Sequence, residues 1–371
     1  MRTDTLPIPA TAPGTASALT VHRFGQEGAR PRAYIQAALH ADEIPGMIAA
    51  HHLRERLTAL EQEGRIAGEV VLVPFANPIG LGQCLLGQAV GRFDLSDGLN
   101  FNRAYPYLEP AVADRVAADL SDDADANVGL IRDALAAVLA EAPAATPAEH
   151  LKKLLLSLAV EADLVLDLHC DGEAVMHLYT LTPMAEDLAP LAALLGCEAV
   201  LLATESGDDP FDEACSRPWH ELRERFPDRP IPLACLATTV ELRGEADVDH
   251  ALASKDAKAI LDYLLLRGVI AGDPPAVPEP LCAPTPLAGT EPLTAPVPGM
   301  VVYLKPAGAR VRAGERIADL IDPATGVVTP VTSRSDGVLF ARAATRFATA
   351  GRRLGKVAGT AFHRSGKLLS P

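Results

Sequence analysis

The chain contains 371 residues, of which 49% are hydrophobic and 22% are charged. This composition is typical of a folded globular protein and excludes disorder of the whole chain, and the length suggests about two domains. The formal net charge of −15 would repel a polyanion, so nucleic acid is not expected as a partner. No apolar run predicts a membrane span or a secretory leader, and the scattered cysteines favour a reducing, cytoplasmic location.

The order of the predicted elements indicates an α/β domain. Residues 1–18 are rich in Pro, Thr and Ala and predict a loose lead-in, and residues 79–110 predict a long loop. Elsewhere, mostly apolar strands alternate with helices, which favours a mixed, mostly parallel sheet flanked by helices. The predicted strands cover residues 19–24, 32–39, 68–78, 162–170, 175–182, 198–204 and 233–242. The predicted helices cover residues 45–64, 111–160 in pieces, 188–197, 219–226 and 247–270.

A Pro-dense stretch separates this domain from a smaller one. We expect an α/β domain over residues 1–272, an extended linker over 273–297 and a β domain over 298–371. The last of these contains short alternating runs with glycine between them, which is a β pattern.

The C-terminal β domain also contains a weak internal repeat. Residues 298–321 can be laid over residues 336–359 with one residue deleted. The matched pairs are Gly299 with Gly337, Val301 with Leu339, Gly314 with Gly351, and Ile317 with Leu354. The pattern resembles the two halves of a biotinyl/lipoyl-type barrel-sandwich domain. Because the stretch between the halves has no lysine, we do not expect carrier chemistry, and any small β-sandwich remains the alternative.

Two apolar strands end at residues that could ligate a metal ion. His40 and Glu43 follow the strand at 32–39, and His169 lies at the end of the strand at 162–170. The carboxyl ends of parallel strands meet at one edge of a sheet, so these side chains can converge there. Zinc accepts two imidazoles and one carboxylate and keeps a further position open for water. The alternatives are that His40 caps the next helix and that His169 is a core histidine.

Neighbouring strand residues could support such a site. Glu241, near the end of the strand at 233–242, could hold a carboxylate close to the metal without ligating it, as a general base requires. The alternative is an exposed edge residue paired with Arg243. Asp167 shares a strand face with His169 and could orient it, whereas Cys170 points the other way and is expected to pack.

The long loop carries a second group of candidates. Arg92, Asn100, Asn102 and Arg103 lie within one short segment. A guanidinium matches a carboxylate, and asparagine adds orienting hydrogen bonds, so this group could bind an anionic substrate. The alternative is a polar surface loop whose charges neutralise each other.

Together, four short motifs resemble a known family. The motifs are HADE, DGLNFNR, DLHCD and TVELRG. In this order and context they resemble the succinylglutamate desuccinylase/aspartoacylase family, itself related to zinc carboxypeptidases, over roughly residues 20–265. The resemblance implies a zinc-carboxypeptidase-like fold, one Zn²⁺ per chain, and an added C-terminal β domain.

The resemblance also implies roles for individual residues. His40, Glu43 and His169 would be the zinc ligands. Glu241 would be the general base and then the proton donor to the leaving amine. Asn102 and Arg103, with Asn100 beside them, would bind the substrate carboxylate. Arg92 would polarise the scissile carbonyl, although its spacing to Asn102 is longer than in the family's motif.

The leading prediction is a zinc-dependent amidohydrolase that deacylates an N-acyl amino acid, of acetyl or succinyl type, by attack of metal-activated water. One alternative is a zinc carboxypeptidase acting on short peptides, which a domain covering the site would disfavour. Another is a non-enzymatic metal-binding or carrier protein. The acyl group, the amino acid and a homo-oligomeric state are left open.

The segment 203–219 bears on the choice of amino acid. It carries five acidic residues, namely Glu205, Asp208, Asp209, Asp212 and Glu213. We interpret the segment as a loop that could line the substrate pocket, where it would favour a cationic amine such as a diamino acid. The alternative is a solvated acidic loop.

Overall fold

The apolar runs of the first 270 residues form the middle of one large sheet. The computed structural model describes residues 1–10, 12–361 and 364–369. The strands up to the Pro-dense stretch and just inside it are β1 (Arg2–Ile8), β2 (Ser17–Gly25), β3 (Arg32–Ala37), β4 (Glu69–Val73), β5 (Cys84–Leu85), β6 (Gln88–Ala89), β7 (Leu164–Asp171), β8 (Glu173–Ala174), β9 (Met176–Leu181), β10 (Ala199–Ala203), β11 (Leu236–Gly244) and β12 (Thr285–Pro286). The helices are α1 (Pro45–Gln62), α2 (Pro78–Leu81), α3 (Glu109–Val116), α4 (Ala124–Glu141), α5 (Pro147–Ala159), α6 (Ala185–Leu195), α7 (Phe211–Arg225) and α8 (His250–Leu266).

The large sheet has nine strands in the order β1-β2-β4-β3-β7-β11-β9-β10-β12. The four central strands, β4, β3, β7 and β11, run parallel, while β1, β2 and β9 introduce antiparallel pairs. β3, β4 and β7 are mostly apolar and are buried along almost their whole length, as expected of strands that are buried on both faces. The prediction of a mixed, mostly parallel sheet flanked by helices is therefore confirmed.

Helices cover both faces of this sheet. Tyr34 and Val71 pack with α3, α4, α5 and α7 on one face, and Ile35 and Leu72 pack with α1, α6 and α8 on the other. This alternation follows from the two-residue period of a strand. Among the described residues, no helix combines the length and the apolar character needed to cross a membrane.

The C-terminal part forms two antiparallel sheets. Its strands are β13 (Thr290–Thr294), β14 (Gly299–Tyr303), β15 (Arg310–Val311), β16 (Arg316–Ile321), β17 (Val328–Thr332), β18 (Gly337–Arg342), β19 (Phe347–Ala348) and β20 (Arg353–Gly359). One sheet has the order β13-β20-β18-β15 and the other β17-β16-β14-β19, and a shared apolar core lies between them. We call this unit the β module.

The internal repeat corresponds to equivalent positions in the two halves of the β module. Gly299 begins β14 and Gly337 begins β18. Gly314 and Gly351 both have positive φ, +83° and +79°, two residues before β16 and β20. The matched apolar pairs, Val301 with Leu339 and Ile317 with Leu354, all lie in the shared core.

Three local predictions are wrong. Residues 1–18 are not a loose lead-in, because Arg2–Ile8 pairs antiparallel with β2. An edge strand with one partner can be largely polar and can hold a proline, so its composition gave little strand signal.

The segment 203–219 is not all loop, because α7 begins at Phe211 and accommodates Pro218 inside the helix. The predicted loop 79–110 also contains the β5–β6 hairpin.

The division at residues 272 and 298 stays a prediction, but parts of the Pro-dense stretch belong to sheets. Thr285–Pro286 extends the large sheet beside β10, and Thr290–Thr294 pairs with β20. The β module also contacts the α/β part directly, because β8 pairs with β18. Phe340 and Leu287 pack there against Val175 and Leu201. The β module is thereby held next to the end of β7.

Candidate metal and hydrolytic site

The carboxyl ends of β3 and β7 bring the predicted metal ligands together. Ala37 of β3 pairs in register with Leu168 of β7, so the chain reaches His40 just beyond one strand while His169 lies near the end of the other. Gly46, in the first turn of α1, lies against β7, and a Cβ atom there would come within 2.9 Å of the Leu168 carbonyl oxygen. This close approach places the turn that carries Glu43 beside His169.

His40, Glu43 and His169 form a compact buried cluster. Each offers one ligand atom, and these atoms lie within 4.8 Å of one another. The two carboxylate oxygens of Glu43 divide between the histidines, with Oε1 2.8 Å from His40 Nδ1 and Oε2 2.7 Å from His169 Nδ1. Two imidazole nitrogens and a carboxylate oxygen suit a borderline ion such as Zn²⁺. The donor set therefore fits a metal ion by its chemistry as well as its proximity.

Outer partners hold both imidazoles in one orientation. Asp167 Oδ2 lies 2.9 Å from His169 Nε2, and Asn100 Oδ1 lies 2.9 Å from His40 Nε2. In turn, Gln36 Nε2 donates to Asp167 Oδ1 at 2.9 Å. Such contacts fix the tautomer and leave the Nδ1 atoms facing Glu43.

The charges of this cluster are strongly perturbed. Burial and the nearby Arg92 lower the pKa of His40 to about 4. Burial also disfavours the charged form of His169, but Asp167 and Glu43 outweigh it and hold the pKa of His169 well above its ordinary value. Without a metal, His169 thus carries a proton between two carboxylates. A metal ion binding at Nδ1 must displace that proton, so metal affinity rises with pH.

Glu241 lies beside the cluster on the adjacent strand. Its backbone pairs in register with His169 across β11 and β7. The side chain is partly buried, and its Oε2 atom is enclosed without a hydrogen-bond partner among the described residues. Burial, Glu43 and Asp171 raise the pKa of Glu241 to about 8. A carboxyl group that gains and loses a proton near neutral pH is suited to general acid–base chemistry.

The predicted arginines and asparagines approach the cluster from the long loop. Arg92 NH1 lies 3.1 Å from Glu43 Oε1 and 3.2 Å from His40 Nδ1. The backbone N–H of Ala41 donates to the Gly91 carbonyl at 3.0 Å, which docks this part of the loop onto the turn that carries His40.

Asn102 and Arg103 follow in the same loop, and Asn102 Nδ2 lies 3.5 Å from His169 Nε2. Asn102 Oδ1 accepts the backbone N–H of Phe211 at 2.9 Å, and Arg103 NH1 donates to the Asn102 carbonyl at 2.6 Å. Burial lowers the pKa of Arg103. Asn100 Oδ1 accepts the backbone N–H of Asn102 at 2.8 Å, and Asn100 is not among the described residues that line the cavity.

One cavity joins these side chains. It has a volume of about 330 Å³, at the lower end of the roughly 300–1,000 Å³ common for small-molecule sites. The predicted residues that line it are His40, Glu43, Arg92, Asn102, Arg103, His169 and Glu241. Cys170 lines it as well, and its backbone N–H donates to Glu43 Oε2 at 3.1 Å.

The β module supplies part of the cavity wall, which the sequence did not reveal. Lys356 and Arg353 of β20 line the cavity with Tyr179 of β9. Lys356 Nζ lies 2.5 Å from Oδ2 of Asp171, the last residue of the strand that carries His169. The one signal available was a lysine inside the otherwise apolar run LGKVAG, which a β pattern alone does not connect to a site in another part of the chain.

The acidic segment divides into two groups. Asp212 and Glu213, in the first turn of α7, line the cavity. Glu205, Asp208 and Asp209 are not among the described lining residues and instead form ion pairs with Arg217 or Lys367.

Comparisons with known proteins agree with the resemblance seen in the motifs. Residues 29–120 match the succinylglutamate desuccinylase/aspartoacylase catalytic domain. A protein of that family from Shewanella amazonensis is 29% identical, with a TM-score of 0.85 over 96% of this chain and 98% of its own. A second, from Shewanella frigidimarina, is 27% identical, with a TM-score of 0.86 over 96% of this chain and 97% of its own.

A more distant structure shares the fold alone. The Rhodobacter sphaeroides protein of the same family name is 17% identical, with a TM-score of 0.66 over 96% of this chain and 94% of its own. No curated protein matches the chain. The matched domain and the two chain-long likenesses show that this chain is similar to proteins of the succinylglutamate desuccinylase/aspartoacylase family, a family named after hydrolases.

Proposed function

We propose that the protein is a zinc-dependent amidohydrolase that removes the acyl group, of acetyl or succinyl type, from an N-acyl amino acid. The observation that carries the proposal is the position of Glu241. Glu241 lines the same cavity as His40, Glu43 and His169, and its Oε2 atom has no hydrogen-bond partner among the described residues. The group that would transfer protons and the donors that would hold a metal ion thus surround one cavity, which a small amide can enter.

His40, Glu43 and His169 would hold the metal ion. A bound Zn²⁺ would lower the pKa of a water molecule toward about 7 and stabilise negative charge on the acyl oxygen. The protein's own contribution is to orient the two imidazole donors, through Asp167 on His169 and Asn100 on His40.

Glu241 would move the proton that hydrolysis requires. Water must lose one proton as its oxygen attacks the acyl carbon, and the departing amine must gain one as the C–N bond breaks. Glu241 can accept the first and deliver the second, so the overall reaction converts an amide and water into a carboxylic acid and an amine. Its pKa of about 8 belongs to the metal-free site, and a nearby cation would lower it toward the range of a base at neutral pH.

The loop residues would bind the substrate around this centre. Arg92 donates toward Glu43 at the metal-ligand end of the cavity, where it could stabilise the oxygen that becomes negative during attack. Asn102 and Arg103 line the same cavity, where a guanidinium can hold the α-carboxylate and fix the acyl carbon relative to Glu241.

The covering β module supports a small substrate over a peptide. Arg353 and Lys356 close one side of a cavity of about 330 Å³, whereas a peptidase needs an open groove. The free state of all six cysteines supports a cytoplasmic location, which we propose as well.

Two substitutions test the proposal. Glu241→Gln keeps the three metal donors and should retain about one zinc per chain while losing most of the turnover of N-acyl amino acids. His169→Ala should lose the metal. A Glu241→Gln protein with full activity would overturn the proposed role of Glu241.

A further inference from the structure

The long loop carries an apolar surface into solvent. β5 and β6 form a hairpin in this loop, and Leu86 at the tip of the hairpin is 96% exposed. The hairpin and the loop that follows it expose several large hydrophobic side chains. These side chains, which we call the apolar arm, are Leu81, Leu85, Leu86, Phe93, Leu95 and Leu99. A single exposed leucine is ordinary on a protein surface, whereas a patch of this size is typical of a contact site.

Hydrogen bonds hold the two parts of the apolar arm together. Gln83 Nε2 donates to the Phe93 carbonyl oxygen at 2.7 Å, and Gln83 Oε1 accepts the backbone N–H of Leu95 at 2.9 Å. The backbone N–H of Asp94 donates to the Leu99 carbonyl oxygen at 2.8 Å and closes the next turn. The hairpin and the second part of the arm therefore form one surface with a defined shape.

A second apolar surface lies on the β module. In the sheet β17-β16-β14-β19, one register position is apolar on every strand. Its four residues are Val328, Ile321, Met300 and Phe347. Ile321 is half-buried and the other three are exposed, as are the neighbouring side chains of Val302, Leu304 and Val327. We call these seven side chains the apolar face.

The pattern of β14 favours a contact on this side of the sheet. Val301 lies in the core of the β module, whereas its neighbours Met300 and Val302 point outward and are 40% and 44% exposed. An antiparallel sheet with one side in water normally alternates apolar and polar residues, and a strand that is apolar on both sides is typical of a sheet covered on both sides. The apolar face thus indicates a partner surface.

The two surfaces together are large enough for a stable contact. By their exposed fractions, the side chains of the arm and the face amount to about six fully exposed large side chains, or on the order of 1,000 Å². A stable interface buries about 800 Å² on each partner. Either surface alone falls short of that area, so a contact that buries both is favoured.

Charge determines which surfaces can meet. Residues 290–359, which form the β module, contain ten Lys and Arg residues against five Asp and Glu residues, a net charge of +5. Because the whole chain carries −15, the remaining residues carry −20. Two faces or two arms would bring like charges together, whereas an arm and a face bring opposite charges together.

A second copy of the chain supplies both surfaces at once. In a two-fold symmetric dimer, a contact from the first copy to the second is repeated from the second to the first. We propose that two copies of this chain form such a dimer, in which the apolar arm of each copy packs on the apolar face of the other. Both surfaces of both copies are then covered.

Sedimentation equilibrium of the full-length, zinc-loaded protein tests this arrangement, and we expect the wild type to be a dimer. Leu86→Lys on the arm and Phe347→Glu on the face should each raise the dissociation constant of the dimer by about 100-fold or more, because each substitution affects both contacts. Both positions are exposed, so melting curves should show that the variants fold. Leu281→Lys, at an exposed leucine outside both surfaces, is the matched control and should leave the dimer unchanged.

Mixing the two variants tests which surfaces are paired. In a mixed dimer, the unchanged arm of the Phe347→Glu copy meets the unchanged face of the Leu86→Lys copy, and the two substituted surfaces carry opposite charges. Mixing should therefore restore dimer formation. A wild type that is monomeric at all concentrations, a dimer weakened by neither or by only one of the two substitutions, or no recovery on mixing would overturn the proposed arrangement.

Discussion

Glu241 makes the stability of the metal-free protein depend on pH. Its pKa is raised from an ordinary 4.5 to about 8 in the folded protein by burial, Glu43 and Asp171. The folded protein therefore holds this proton more tightly than the unfolded chain does. Between those two pH values the folded state binds more protons than the unfolded chain, so the free energy of unfolding falls as pH rises. Above pH about 8 the stabilisation that came from the bound proton is completely lost.

The substitution Glu241→Gln removes this effect while keeping the side-chain shape. A pKa difference of that size corresponds to on the order of 3 kcal/mol, once partial exposure of the side chain is allowed for. The wild-type protein should lose about that much stability relative to Glu241→Gln between pH 5 and pH 9. Any fixed cost of the glutamine amide is the same at both pH values and cancels.

Urea unfolding of the metal-free proteins measures this difference. The free energies of wild type and Glu241→Gln are compared at pH 5, 7 and 9, in the same chelator-treated buffer. Glu279→Gln, an exposed site in the Pro-dense stretch, is the control and should give a difference that does not change with pH. The quantity to follow is the free energy of unfolding of the wild type minus that of Glu241→Gln. If this difference stays constant or rises from pH 5 to pH 9, the inference that the pKa of Glu241 is raised is refuted.

Three further substitutions test the surroundings of the site. Asp167→Asn removes the negative charge beside His169 Nε2 and should weaken zinc binding by about 10- to 100-fold in a chelator competition, and unchanged affinity would contradict that role. Lys356→Met leaves the partly buried Asp171 carboxylate unpaired and should lower the free energy of unfolding by about 2 kcal/mol, less than a fully buried pair would lose. Asp171→Asn combined with it should restore most of the loss, and simple additivity in urea unfolding would contradict a coupled pair. Arg92→Ala should lower kcat by about 10²- to 10³-fold with a smaller change in KM, and a change in KM alone would contradict oxyanion stabilisation.

The ligand cluster could be predicted because its signals are local. Long apolar strands can be identified from the sequence. A polar residue near the end of such a strand, such as His169, can be identified as well. Because β3 and β7 run parallel, His40 and Glu43 come to the same edge of the sheet as His169. For these residues, the local pattern and the sheet topology agree.

The wall contributed by the β module could not be predicted in the same way. Lys356 reaches the cavity because β8 pairs with β18, a contact between segments far apart in the chain that no local pattern encodes. The first turn of α7 was missed for a different reason. Pro218 argues against a helix in that segment, and burial of the surrounding face in the core outweighs that local preference.

The most direct test of the proposed function is amine release from Nα-acyl amino acids by zinc-loaded and chelator-stripped protein. We predict release by the protein carrying about one zinc per chain, none after stripping, and recovery when zinc is returned. Stoichiometric zinc with no release from any acyl derivative, or an equal rate in the stripped protein, would contradict a zinc-dependent deacylase.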